Sequence, residues 1–190
     1  MKIALVTSRS VSNQWGESHA SVSHGLIDYL SWCGYSSIIL HNKNLNLLSD
    51  LFSTISPELV VLSGGESLGM DPTRDVFELS VLRLCEEKTV PVLGICRGMQ
   101  VLGLYFDQPP IGIEGHSGVR HTVTGLLNSE VNSYHQFGYP KVSLPLVALV
   151  QGQDDSVEAF RHSSLPWLGI MWHPERESAE NWIDVTRFQK

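Results

Sequence analysis

Val90-Pro91-Val92-Leu93-Gly94-Ile95-Cys96-Arg97-Gly98-Met99-Gln100 joins an apolar run to a helix-like segment. Val90 to Leu93 is apolar, Met99 to Tyr105 carries a helical pattern, and Gly94-Ile95-Cys96-Arg97-Gly98 sets a cysteine on the elbow between them. Two glycines permit a tight turn that side chains would block, and they leave the middle residue at the carboxyl end of a strand. A thiol there gains twice: the N-terminus of the following helix favours the thiolate, and its first free N–H groups can hold an oxyanion. Cys96 is therefore a candidate nucleophile. Cys33, at the end of a helical pattern, and Cys85, on the apolar stripe of Phe77 to Cys85, fit packing roles instead.

Outward from the elbow, short runs rich in Ile and Val alternate with longer amphipathic stretches, the pattern of βαβ units around a parallel sheet. Strands are expected at Lys2–Thr7, Ser37–Leu40, Leu59–Leu62, Val90–Ile95, Val157–Arg161 and Leu168–Trp172. Helices are expected at Ser21–Trp32, Asn46–Phe52, Arg74–Glu87 and Ser178–Phe188; Asp71-Pro72 marks the start of the third. From Gln108 to Gln153 the texture turns to glycine, proline, histidine and short alternating segments, read as β-hairpins and loops that wall a pocket.

At 190 residues the chain is expected to form a single domain, 1–190, with one substantial core. A formal charge of -7 argues against a nucleic-acid partner or an anionic membrane surface, leaving a small molecule. Across the chain that balance favours a neutral or cationic amine over a polyanion. The N-terminal apolar run is too brief for a signal peptide or a membrane span, and three unpaired-looking cysteines point to the cytoplasm.

A thiol nucleophile needs a base and a group that orients it. Trp172-His173-Pro174-Glu175 supplies both at the end of the last strand run. Side chains at 173 and 175 share a side if the backbone stays extended, and Pro174 disfavours a helical His173. Leu62-Ser63-Gly64-Gly65-Glu66 closes a neighbouring strand with two glycines and can turn a backbone N–H into the site. His116, His121 and His135 do not have the spacing of a structural zinc site, so no metal or other cofactor is expected. His121 and His135 are read as bracing loops or lining the leaving-group side. Trp15, with Asn13, Gln14 and Glu17, either covers the pocket or packs.

Four blocks, Ser63-Gly64-Gly65, Pro91 to Gln100, Asn132-Ser133-Tyr134-His135-Gln136 and Trp172-His173-Pro174-Glu175, occur in an order that resembles the class I glutamine amidotransferase superfamily. The resemblance spans nearly the whole chain. It implies a flavodoxin-like α/β fold, a mostly parallel sheet with helices on both faces and a small hairpin and loop region near 108–153. It also implies Cys96 as nucleophile, His173 as general base and acid, Glu175 as orienter, and the N–H groups of Gly65 and Arg97 as the oxyanion hole.

Arg97 after the nucleophile, Asp71 to Glu78 ahead of the elbow, and the stretches Gly115–His121 and Asn132–Gln136 look more like the γ-glutamyl hydrolase group, which is peptidase C26-like and includes γ-glutamyl-polyamine hydrolases. The resemblance then implies a hydrolase that cleaves a γ-glutamyl amide through a glutamyl thioester. The alternative it leaves is a stand-alone glutaminase subunit delivering ammonia to a separate synthase, since the sequence stops fifteen residues after Glu175 with no synthase fused. A homo-oligomer or a synthase partner stays open. Gln100, Glu66, Ser133, Tyr134 and His135 are the expected substrate contacts, and Arg97 is a further candidate for the α-carboxylate. Glu66 follows the Gly-Gly pair directly, where the group commonly has its acid one position later. Overall likeness also suggests a γ-glutamyl-nucleotide amidate in surface-polysaccharide synthesis.

Overall fold

The computed structural model describes residues 2–189. Nine strands make the main sheet, in the order β4-β1-β5-β6-β13-β12-β11-β8-β9. The first five in that order, β4 (Tyr35–Leu40), β1 (Lys2–Thr7), β5 (Leu59–Leu62), β6 (Val92–Ile95) and β13 (Trp167–Ile170), run parallel. β12 (Val157–His162), β11 (Leu146–Gly152), β8 (Ser117–Gly125) and β9 (Ser129–Tyr134) continue the sheet antiparallel. Two short pairs stand apart, β2 (Arg9–Ser12) with β3 (Ser18–Ser21) and β7 (Ile111–Gly112) with β10 (Phe137–Gly138).

The runs that alternate least are the most buried. Every residue of β5, β6 and β13 is buried, as expected of strands covered on both faces. One face packs on α2 (Leu48–Ile55), α3 (Pro72–Lys88) and α4 (Arg97–Tyr105) through Phe52, Phe77, Val81, Met99 and Leu102; the other packs on α1 (His24–Trp32) through Leu26, Tyr29 and Leu30. α3 starts where its signal lies, with Asp71 accepting the Arg74 N–H at 3.1 Å and Pro72 in the first turn.

Three expectations change. Ser21 belongs to the β2–β3 hairpin, and α1 begins at His24; that hairpin is exposed and poor in apolar residues, so it leaves no alternation to detect. Ser178–Phe188 is not one helix but two 3₁₀ turns, Ala179–Asn181 and Val185–Gln189. The Tyr29 hydroxyl bonds this segment in the helix ladder's place, donating to the Ile183 carbonyl at 2.7 Å and accepting from the Val185 N–H at 3.2 Å. Strands from Gln108 to Gln153 are present as expected, but β8, β9 and β11 extend the main sheet. Among the described residues no helix is long and apolar enough to cross a membrane.

Candidate active site

Cys96 follows β6 directly and precedes α4, with φ +52° and ψ -104°. A non-glycine residue held there stores roughly 1–3 kcal/mol of strain. The neighbours hold it: the Cys96 N–H donates to the Ile170 carbonyl at 2.7 Å, and the Gln100 N–H donates to the Cys96 carbonyl at 3.2 Å. The flanking glycines serve close approach rather than left-handed backbone. A Cβ on Gly94 would fall 2.5 Å from the Gly98 carbonyl, and one on Gly98 only 2.1 Å from the Leu62 carbonyl oxygen. β5, β6 and α4 can therefore meet only if both positions lack side chains.

His173 lies just past β13, parallel to β6, so the two strand ends deliver the imidazole to the thiol. The Cys96 side chain lies close enough to the ring to favour its charged form, and the ring Nδ1 lies 2.7 Å from Glu175 Oε1. Glu175 sits in a 3₁₀ turn, Pro174–Arg176, so the carboxylate reaches the ring by the chain turning back, not by the extended backbone expected. Burial of the ring opposes its charge, but Cys96 and Glu175 outweigh that and hold the His173 pKa up at about 9. Asn132, buried on β9, clamps the His173 backbone: its Nδ2 donates to the His173 carbonyl at 2.7 Å and its Oδ1 accepts the His173 N–H at 3.0 Å. The Asn-Ser-Tyr-His block was conspicuous in the sequence, yet its asparagine carried no assigned role there.

β5 and β6 pair with Leu62 opposite Gly94, which carries Gly64 and Gly65 alongside Cys96. Buried Arg74 shapes this loop, its Nη2 donating to the Ser63 carbonyl at 2.8 Å and to the Gly64 carbonyl at 3.3 Å. Across a trans peptide the Gly65 N–H points opposite to the Gly64 carbonyl, hence away from Arg74. A Cβ on Gly65 would fall 2.3 Å from Arg74 Nη1, so the guanidinium fits only against glycine. Arg74 Nε donates to Glu78 Oε1 at 3.0 Å, and Glu78 also accepts from Thr7 Oγ1 at 2.7 Å. The Arg97 guanidinium donates to Glu78 and Asp75. The candidate role of its side chain toward an α-carboxylate is therefore corrected: both ends of the guanidinium are committed inside the protein. The Arg97 N–H, first in α4, has no intrahelical acceptor.

A cavity of about 110 Å³ opens at Cys96, lined by Gly65, Arg97, Gln100, Tyr134, His135 and neighbouring residues. Gln100 is buried and donates from Nε2 to the Phe137 carbonyl at 3.2 Å. Tyr134 stands edge-on to the His173 ring, centroids 6.0 Å apart. Ser133 is fully buried, donates its hydroxyl to the His116 carbonyl at 2.5 Å, and does not line this cavity. Glu66 is half-exposed, bonded to Arg74 at 3.4 Å, and does not line this cavity. Trp15 is 78% exposed between β2 and β3, which removes the packing alternative. Cys85 is fully buried, and Cys33 is partly so.

Three histidines that the sequence keeps apart converge on Glu158 of β12. His116 Nδ1, His135 Nε2 and His121 Nε2 lie 3.3, 3.6 and 3.7 Å from its carboxylate. The bond to Glu158, against the cost of burial, holds the His116 pKa at about 9. Glu158 is held near 2 because those imidazoles outweigh its burial. Of these, His116, His135 and Glu158 bring one ligand atom each within 4.8 Å of one another, the donors that could hold a cation. A larger cavity of about 460 Å³ lies on the far side of Trp172 and Pro174, with neither Cys96 nor His173 in its wall.

A model of the Glutamine amidotransferase class-I family matches residues 16–187. The chain belongs to that family. Gamma-glutamyl-CDP-amidate hydrolase of Campylobacter jejuni is 36% identical to it over 134 residues, 67% of this chain and 67% of that protein. Anthranilate synthase component 2 of Mycobacterium tuberculosis is 28% identical over 171 residues, 84% of this chain and 72% of that protein. PurLQS from Thermotoga maritima shares the fold with a TM-score of 0.71 at 18% identity, over 99% of this chain and 96% of that one. A glutamine amido transferase from Methylobacillus flagellatus does so with a TM-score of 0.63 at 16% identity, over 93% and 71%. For a member of this family, a thiol held against an imidazole whose other nitrogen is fixed by a carboxylate is a set able to attack a carbonyl and pass one proton back and forth.

Proposed function

We propose that this protein hydrolyses the γ-glutamyl amide bond of a small metabolite, releasing glutamate and an amine through a thioester on Cys96. The supporting observation is the Cys96–His173–Glu175 relay at the meeting of β6 and β13, in a chain 36% identical to a γ-glutamyl-CDP-amidate hydrolase. The Cys96 thiolate attacks the δ-carbonyl carbon, and the Gly65 and Arg97 N–H groups receive the oxyanion. As the C–N bond breaks, its electron pair goes to nitrogen, which takes the proton from His173. Water then attacks the thioester, gives a proton to His173, and the C–S bond breaks to return the thiolate and release glutamate. Glu175 keeps Nδ1 fixed so that the other ring nitrogen faces the sulfur. Gln100 and the Tyr134 backbone hold the glutamyl end, with His135 behind them.

Likeness to anthranilate synthase component 2 supports the second reading, a glutaminase that hands ammonia to a synthase. Incubating purified protein with glutamine and with a panel of larger γ-glutamyl amides, and measuring glutamate released, separates them. Rapid cleavage of one larger amide by the isolated chain is expected. Turnover of glutamine alone, and only with a synthase added, would establish the second reading instead.

A further inference from the structure

We propose that the cavity on the other side of His173 is the leaving-group subsite and that it takes a phosphoryl group borne on the amide nitrogen. This cavity, of about 120 Å³, is lined among others by Arg9, Ser21, Ser23, Gly64, His173 and Arg176. Gly64 on this side and Gly65 on the Cys96 side make the two cavities neighbours across the thiol–imidazole pair. Arg9 opens β2 beside the glycine loop; a Cβ on Gly65 would sit 3.7 Å from its Cβ. Arg176 lies over the Tyr134 ring, 4.6 Å from its centroid.

Charge distinguishes this cavity from the rest of an acidic molecule. Arg74, Arg97 and Arg120 each pair with carboxylates, whereas among the described residues neither Arg9 nor Arg176 does. Glu175 is the one acid in the lining, and its carboxylate is engaged by His173 at 2.7 Å. At the start of α1, Ser23 makes no side-chain cap and no acid occupies the first turn, so no carboxylate there competes for the two guanidiniums; the first-turn Leu26 N–H is itself taken by the Ser23 carbonyl at 3.1 Å. Two guanidinium forks without a carboxylate partner and two serine hydroxyls suit a phosphoryl oxygen set far better than an amine. The whole-chain charge had favoured a neutral or cationic leaving group; the local lining reverses that.

The assignment rests on the γ-glutamyl hydrolase reading, because His173 must protonate the nitrogen that leaves. With a phosphoryl group on that nitrogen, C–N cleavage and the proton from His173 release a phosphoramidate, and the Arg9 and Arg176 forks hold its oxygens throughout. The test compares wild type with Arg9→Gln, Arg176→Gln and the double variant on two substrates, N-phosphoryl glutamine and γ-glutamyl-p-nitroanilide. Each single change is expected to cut kcat/KM for the phosphoryl substrate roughly 10-fold or more, leaving the anilide within about twofold. Equal losses on both substrates, or none on either, would overturn the subsite while leaving the hydrolase reading intact. Calorimetric titration of Cys96→Ala protein with pyrophosphate needs no turnover: binding abolished by the double change supports the subsite even if no amide is cleaved, and binding unchanged by it refutes it.

Discussion

Glu175 does at the residue scale what its neighbours in sequence do not suggest, because it reaches His173 through a turn and not through the strand pattern. Replacing it by Gln keeps the shape but removes the charge that fixes the tautomer. Glu175→Gln is expected to lower kcat roughly 10³–10⁴-fold with KM nearly unchanged, measured by steady-state kinetics on the cleaved amide. A loss confined to KM would mean that Glu175 contacts substrate. The protonated His173 ring is stabilised by Cys96 and Glu175 against its burial, so the imidazolium persists as pH rises until about 9 and is lost beyond it. Acylation should accordingly fall off above about pH 9. Cys96, His173, Glu175 and Gly65 could be picked out from residue type and position at strand ends alone. Arg9 and Arg176 could not, since an unpaired arginine looks the same in sequence as a paired one; only the fold shows which carboxylates are already taken.

The elbow is the element on which the site depends, and its glycines are spacing devices between β5, β6 and α4. Gly98→Ala forces a methyl group to within 2.1 Å of a backbone oxygen of β5, where no flexible side chain can yield. It is expected to cost about 3 kcal/mol or more, read as a drop in urea midpoint at constant m-value. A neutral result would mean that α4 sits further from the sheet than described. The parallel strands were legible because burial on both faces writes itself as unbroken apolar runs. The β2–β3 hairpin and the C-terminal 3₁₀ turns were not: one is held by exposed backbone pairing of Arg9–Ser12 with Ser18–Ser21, the other by the Tyr29 hydroxyl, by Trp182 packed on Tyr29 and Trp32, and by buried Val185. Neither leaves a hydrophobic period.

Across the whole molecule, the antiparallel half of the sheet meets the parallel half at β12–β13, and Glu158 stands there with three histidines around it. The ordinary pKa of Glu158 is 4.5 and it is lowered to about 2, so its contribution to stability is present above 4.5 and lost as pH falls toward 2. His116 is raised from 6.5 to about 9, so its contribution is present below 6.5 and lost as pH rises through 9. Both act fully between about 4.5 and 6.5. Glu158→Gln should therefore destabilise most in that window, by roughly 3–5 kcal/mol, and progressively less toward pH 9 in denaturant titrations. A pH-independent difference would show that shape, not charge, holds this junction. The account as a whole turns on which sulfur reacts. A glutamyl chloroketone, which alkylates a nucleophile seated at a γ-glutamyl carbonyl, followed by peptide mapping of the inactivated protein, tests that directly. Stoichiometric labelling of Cys96, blocked by substrate and absent in Cys96→Ala, is the result expected; labelling of Cys33 or Cys85 with loss of activity, or full activity with Cys96 alkylated, would contradict it.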